Sequence, residues 1–493
     1  MIVLALLQLA SAEQGTIASR IQIDGALASV YAPQSGSLGP VVVIAHGFAG
    51  SGRLMDSFAL SFARAGYTAV SFDFPGHGGN PRPLTGSITE IDGATRRLLD
   101  SLDQVVAHAR RLGDGRVALL GHSMASDVVV RYATEHPEVG ATIAVSMFAP
   151  TVTASTPRNL LVIVGDWEGP LKREALRAVG LATAPATARP FVTYGVPSDG
   201  SARRVAFSPH VEHASVLFSA ASMREAVAWL DTVYRTPRTG RPLKNDRGLS
   251  LLMLFAGVVL LAWPLSRRLP VIAVPALGAA LPWRRLWWLL LLPSVATPLV
   301  LRVVPTHFLP VLVGDYLAVH FATYGILTML GVAFARRRDP TSTRASVPAT
   351  RIAAGAILVT GYALVALILP LDRFVTAFMP TPARIPLMMV MLLGTGCYFL
   401  ADEWATRGVG AARGAYLTSK LAFLLSLGLA VGLDFDRLFF LIIIVPVIVL
   451  FFLVHGAFSR WTYRRTGHPF VAGSANAIVF AWAIGVTFPL LAG

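Results

Sequence analysis

The pentapeptide Gly121-His122-Ser123-Met124-Ala125 follows the apolar run Val117-Ala118-Leu119-Leu120 and precedes a helix-like stretch over 127–136. A serine set where a strand turns sharply into a helix has its Oγ exposed, with the positive end of the helix beneath it, and is suited to attack a carbonyl carbon. Such a nucleophile elbow needs small residues two places before and two after the serine, since larger side chains collide with the adjoining strand and helix. Gly121 and Ala125 meet this need, Ala125 standing where a second glycine is usual. Serine is a poor nucleophile at neutral pH. It needs a base, and the base needs a partner that holds its tautomer and stabilises the imidazolium.

The elements that would carry such a site are legible between residues 15 and 235, where β-branched runs alternate with amphipathic segments as in a mostly parallel sheet flanked by helices. Strands are expected at 16–23, 27–31, 41–45, 68–73, 117–120, 142–146, 160–164 and 204–207. Helices are expected at 54–65, 88–112, 127–136, 171–179 and 216–234. Ser123 follows the fifth strand of this compact α/β domain, assigned to residues 13–236.

Four blocks in this order resemble the α/β-hydrolase superfamily, close to its serine esterase, dienelactone-hydrolase-like and monoglyceride-lipase-like branches. Val41-Val42-Val43-Ile44-Ala45-His46-Gly47-Phe48 looks like the third strand and its His-Gly-x turn. Phe72-Asp73-Phe74-Pro75-Gly76-His77-Gly78, after Gly66-Tyr67, looks like the next strand and its turn, with Asn80 where serine is commoner. The elbow is the third block; residues 160–168 together with 211–219 form the fourth. The resemblance implies a chain order of serine, acid, histidine. It points to His213, at the opening of the last helix, over His210 as the base, while His136 suits a helix C-terminal cap. It points to Glu168, three places after Gly165, with Asp166 two residues away as the alternative acid. The oxyanion donors implied are the backbone N–H groups of Phe48 and Met124. The Phe48 and Met124 side chains would line the acyl pocket, and Trp167 would be core or pocket. His122 reads as packing or polar lining, His46 and His77 as turn-stabilising. About a dozen residues separate the strand near 146 from the one at 160, too few for the helical cap many relatives insert there, so the fold is expected to be capless.

The rest of the chain has a different solvent. Of 493 residues, 54% are hydrophobic, too many for a protein soluble throughout. Residues 1–236 hold 19 Lys and Arg against 19 Asp and Glu, whereas residues 237–493 hold 23 against 8, so the net charge of +15 belongs to the second half. Its arginines lie in short clusters between long apolar runs, which argues against a nucleic-acid partner and for a lipid bilayer. After a basic linker at 237–248, residues 249–493 are expected to form an all-α bundle of about eight transmembrane spans: 249–265, 287–303, 311–335, 352–370, 385–401, 415–433, 438–457 and 472–491. The proline-punctuated segment 269–281 suits an interfacial or re-entrant piece.

Arg267, Arg268, Arg284 and Arg285 follow the first span, and comparable clusters follow the third, fifth and seventh. The positive-inside rule makes these loops cytoplasmic and puts the hydrolase-like domain and residue 493 outside, with a bacterial inner membrane as the expected setting. Residues 1–12 resemble a signal or an anchor segment, without a basic n-region. The lone Cys397 lies in a span, so no disulfide framework is expected. No metal cluster or nucleotide motif calls for a metal or other cofactor, and nothing bears on oligomeric state. Tyr316, His320 and Tyr324 share a helix face beside Asp315, as in a polar pocket or in ordinary interhelical hydrogen bonding.

The expected function is hydrolysis of a small-molecule or lipid carboxylic ester through an acyl-enzyme. Amidase, thioesterase and acyltransferase chemistry use the same machinery. The competing expectation is a transporter or membrane scaffold with a non-catalytic hydrolase-like domain.

Overall fold

The computed structural model describes residues 1–23, 25–36, 38–87, 91–183, 187–236, 247–337 and 347–492. They form two compact units: Met1–Phe255 with Leu371–Met379 and Pro489–Gly493, and Ala256–Pro370 with Pro380–Phe488. Most of the basic linker expected at 237–248 lies outside the described residues.

The first unit holds a nine-stranded sheet: β1 (Thr16–Ile23), β2 (Ala26–Pro33), β3 (Val41–Ala45), β4 (Thr68–Phe72), β5 (Val117–His122), β6 (Val139–Val145), β7 (Leu160–Gly165), β8 (Thr193–Tyr194) and β9 (Arg203–Ser208). Their order is β1-β2-β4-β3-β5-β6-β7-β9-β8. β4, β3, β5, β6, β7 and β9 run parallel, and β1, β2 and β8 are antiparallel at the margins. Every residue of β3 and β5 is buried, as their unbroken apolar runs require, because helices cover both faces of a parallel sheet. α3 (Arg96–Ala109) and α4 (Met124–Glu135) bury Leu98, Leu102, Val105 and Val129 on one face; α2 (Asp56–Arg64) and α6 (Ala220–Tyr234) bury Phe58, Phe62, Val227 and Leu230 on the other. Strand order reverses around β3, whose chain runs out to β4 on one side and returns to β5 on the other. The carboxyl ends of β3 and β5, with Ala45 paired to Gly121, therefore flank a crevice at a topological switch point.

All eight expected strands form. β8, two residues long, carries too little periodicity to be read. Of the helix expected over 88–112, residues 88–90 lie outside the described residues; a π turn at Ile91–Thr95 precedes α3, and Gly93 (φ −88°, ψ −119°) breaks the run there, where a Cβ would stand 2.2 Å from Ser87 O. The helix expected from 216 starts at Ala220, because Ser219 is extended. No helix interrupts 146–159, so the capless expectation agrees with the chain path. Residues 1–12 lie in α1 (Ile2–Glu13), 12 residues long, with Ala5 and Leu9 buried and Gln8 bonded to Ser250. It is shorter than the ~20 residues a bilayer crossing takes.

Three remote segments complete this unit. Residues 247–255 open α7 (Arg247–Ser266). Leu371–Met379 reaches the segment after β3, and residues 490–492 pair with the turn after β4: Leu490 N–H donates to Gly76 O (2.9 Å), and Leu84 N–H to Leu490 O (2.8 Å).

The second unit is helical: α8 (Trp283–Leu301), α9 (Gly314–Arg337), α10 (Ala349–Ala363) leading through a π turn into the first two residues of α11 (Leu369–Phe374), α12 (Ile385–Thr406), α13 (Ala415–Leu433), the short α14 (Phe435–Leu438), α15 (Phe440–Thr466) and α16 (Pro469–Thr487), with the rest of α7. Among the described residues, seven helices are long and apolar enough to cross a membrane. The expectation was eight. α8 is the one not counted, since Arg284 and Arg285 open it and Pro293 and Pro298 interrupt it. Segment 269–281 is irregular, and its N–H groups at Ile272, Leu277 and Ala279 bond to carbonyls at the ends of α15 and α12, the satisfaction that non-helical backbone requires in an apolar setting. Asp315, Tyr316, His320 and Tyr324 are all buried. His320 Nε2 meets Ser426 Oγ at 3.1 Å, and Tyr324 Oη meets Ser294 Oγ at 3.2 Å, as interhelical bonding requires rather than an open pocket.

Candidate active site

Ser123 sits between β5 and α4 with φ 53° and ψ −118°, backbone that a non-glycine residue adopts only under strain. The neighbours hold it there: Ser123 N–H donates to Val145 O (2.9 Å), and Ser126 N–H donates to Ser123 O (2.8 Å). A Cβ on Gly121 would lie 2.3 Å from Ala125 O, so the small residues on either side are sterically required. α4 begins at Met124, whose backbone N–H, in the first turn, has no acceptor within the helix.

Ser123 Oγ lies 2.9 Å from His213 Nε2, and His213 Nδ1 lies 2.6 Å from Glu168 Oε1. The other oxygen of Glu168 accepts from Ser146 Oγ (2.7 Å) and from Gly165 N–H (2.6 Å). A carboxylate tied on both oxygens is fixed in orientation and holds the imidazole with its proton on Nδ1, leaving Nε2 free to accept from the serine. Gly165 permits this approach, since a Cβ there would stand 2.8 Å from Glu168 Oε2. The His213 side chain is 40% exposed and Glu168 is buried, so the imidazole is open to solvent while the carboxylate is screened from it.

The structure therefore brings Ser123, His213 and Glu168 into one hydrogen-bonded chain and leaves Asp166 out of it. Asp166 pairs with Lys172 Nζ (2.6 Å), which holds its carboxyl below the usual range, and its side chain is 42% exposed. The turn that aims Glu168 inward sends a residue two places earlier outward. His210, at φ 57°, is exposed, and His136 stacks on Tyr132 at the end of α4. Trp167 is 67% exposed, which removes it from the core. Beyond β6, Phe148 is 65% exposed, and its N–H donates to Ser126 Oγ.

The turn after β3 lies against the serine: a Cβ on Gly47 would be 3.0 Å from Ser123 Cβ. His46 braces this turn. Its Nε2 accepts from Phe74 N–H (3.1 Å) and its Nδ1–H donates to Gly47 O (2.7 Å), so both ring nitrogens are used and the tautomer is fixed. Phe48 is half-buried, edge-on to His77. His122 Nε2–H donates to His213 O (3.0 Å), bracing the loop that carries the base, and Glu212 accepts from Ala214 and Ser215 N–H at 2.9 Å each. The roles of Ser146, His122 and Glu212 were not legible in sequence. A serine ending the strand before the acid's strand was the only available hint. Among the described residues no cluster of His, Cys, Asp or Glu could hold a metal ion.

Residues 40–223 match the family model described as alpha/beta hydrolase fold. This segment has the α/β-hydrolase fold. Among solved structures, TT1662 from Thermus thermophilus is 17% identical, with a TM-score of 0.34 over 45% of this chain and 99% of that one. A putative dienelactone hydrolase from Klebsiella pneumoniae subsp. pneumoniae MGH 78578 is 18% identical (TM-score 0.33; 45% and 99%). The epoxide hydrolase VrEH1 from Vigna radiata is 24% identical (TM-score 0.23; 28% and 42%). No curated protein matches the chain.

Burial within the α/β-hydrolase unit predicts its response to acid. Desolvation pushes His46 down to about 4 and His122 down to about 3, from an ordinary value of 6.5. The unfolded chain takes up these protons below pH 6.5 and the folded one does not, so stability is lost as pH falls from 6.5 towards 4. Asp56 acts oppositely: burial raises it to about 6, so between pH 6 and 3.8 the folded state holds the extra proton and gains stability on acidification. Two histidines against one carboxylate leave a net loss. Thermal unfolding of the full chain is expected at a lower Tm at pH 5 than at pH 7, with a smaller difference in His122→Asn; equal Tm values would contradict it.

Proposed function

We propose that this chain is a membrane-anchored serine hydrolase that cleaves carboxylic esters through an acyl-enzyme. The observation that carries the reading is the hydrogen-bonded chain Ser123, His213, Glu168 at a strained elbow. Ser123 Oγ attacks the ester carbonyl while His213 Nε2 takes its proton. The oxyanion is held by the N–H groups of Phe48 and Met124. Collapse expels the alcohol with the proton from His213. Water then attacks the acyl-serine, giving its proton to His213, and the acid leaves as Ser123 recovers that proton. Glu168 holds the Nδ1 proton and stabilises the imidazolium, without itself accepting the proton. The exposed apolar surfaces of Phe148 and Trp167, which lie close in sequence to Ser146 and Glu168, favour an apolar acyl group, with Trp167 in a pocket role.

The basic loops favour an extracytoplasmic hydrolase domain in an inner membrane. A fluorophosphonate probe should give one stoichiometric adduct on the purified full chain, mapped to the peptide bearing Ser123. An unlabelled protein, or an adduct elsewhere, would remove the reading.

A further inference from the structure

The last residues of α11 and the loop that follows them, together Leu371–Met379, belong to the hydrolase unit. This loop grips the residues that directly follow the oxyanion turn. Ser51 Oγ lies 2.9 Å from Thr376 Oγ1 and accepts from Ala377 N–H (2.9 Å). Arg53 Nη1 donates to Asp372 Oδ2 (2.7 Å) and to the Asp372 carbonyl. The second oxygen of Asp372 accepts from Phe378 N–H (2.8 Å) and Met379 N–H (3.1 Å), so one carboxylate closes the loop on itself and ties it to Arg53. Arg247 Nη2 donates to Phe374 O (2.9 Å), fastening the loop to the start of α7.

On the hydrolase side little slack separates this grip from the nucleophile. Gly52 N–H is held by Asp73 Oδ1 (2.7 Å), Gly50 N–H by Gly47 O (3.1 Å), and Gly47 lies against Ser123. His46 braces the start of the turn from within the sheet. The far end, residues 51–53, has Asp73 and the loop.

We infer that Leu371–Met379 is a positioning element of the active site: through Asp372–Arg53 and Thr376–Ser51 it fixes the turn that presents the Phe48 N–H to the oxyanion. Asp372, Thr376 and Arg53 are positioning residues, acting through the turn and touching no substrate. The inference rests on the serine-hydrolase reading for its catalytic consequence, though the mechanical part stands without it. Oxyanion donors act only when already in place, and a displacement of about 1 Å costs up to about 100-fold in rate. The pair is only about a fifth exposed on each side, so removing one partner also costs some stability, and Tm is measured beside the rate to separate the two.

The test uses the full chain in detergent, as wild type, Arg53→Ala, Asp372→Ala, the double variant and Arg53→Lys. Each alanine variant should lower kcat on a short acyl ester about 10-fold with KM nearly unchanged, the double should be no worse than either single, and Arg53→Lys should recover most of the loss. Hydrogen exchange should speed up at residues 46–53 and stay unchanged in β5 and β6. Exchange at 46–53 equal to wild type in both single variants would overturn the inference, as would a kcat loss that merely follows a lowered Tm with faster exchange across the unit. A wild type that turns over no ester would remove the proposed function, while the exchange at 46–53 would still decide whether the loop holds the turn.

Discussion

Ser123→Ala is expected to lower ester turnover by roughly 10⁴- to 10⁶-fold, to background, without unfolding the protein. The large effect follows from what is removed. Among the described residues the partner of His213 Nε2 is Ser123 Oγ, at 2.9 Å, and the variant takes away that hydroxyl. The fold should tolerate the change, since Cβ is kept and the backbone bonds that hold the strained residue, to Val145 O and from Ser126 N–H, do not involve the hydroxyl. The measurement is steady-state hydrolysis of a panel of p-nitrophenyl esters with a parallel Tm. Residual activity above about 1% of wild type in the variant would mean that the acyl group is carried elsewhere. Solute flux or partner binding that survives Ser123→Ala, with no ester turnover in wild type, would favour the scaffold or transporter alternative instead.

The second large effect separates two carboxylates two residues apart. Glu168→Ala is expected to reduce kcat by about 10⁴-fold, as loss of a triad acid does when the base is left in the wrong tautomer. Asp166→Asn should change it by less than twofold. Glu168 is bonded to His213 Nδ1, Ser146 Oγ and Gly165 N–H, whereas Asp166 faces solvent and Lys172. Removing Glu168 also strands the Ser146 hydroxyl and the Gly165 N–H in a buried place, a penalty of about 1–3 kcal/mol each, so some loss of Tm accompanies the loss of rate. Glu168→Gln keeps the volume and part of the bonding, and should separate the two contributions by restoring Tm more than kcat. Equal kcat values for Glu168→Ala and Asp166→Asn would refute the assignment.

The comparison of Glu168 with Asp166 also marks how far the sequence could be read. The central strands were legible because β3, β5 and β7 are buried on both faces and leave apolar runs, and the elbow because its steric needs dictate residue size at Gly121 and Ala125. The choice of acid rested on resemblance, since both side chains follow the same strand and only the turn geometry decides which points inward. Trp167 shows the converse: its aromatic character suited a core, yet the same turn exposes it. Contacts among residues far apart in the chain had no local signature. Nothing around Asp372 or Leu490 in sequence announces that these residues complete a sheet domain made hundreds of positions earlier. The helix count differs for a local reason, since the paired arginines that open α8 lower its apolar character while helping to set loop charge.

The pairing of Leu490 and Ala492 with Gly76 and Leu84 carries a consequence for biogenesis. A polypeptide made from its amino end exposes β1–β9 early, but the pieces that finish the hydrolase unit arrive in two later instalments, residues 371–379 and then residues 490–492. The unit is thus assembled out of order. Its sheet is made before residues 371–379 and 490–492 exist, so the last contacts of the unit, at the turn after β4, form only after the helices between residues 256 and 488 have been synthesised.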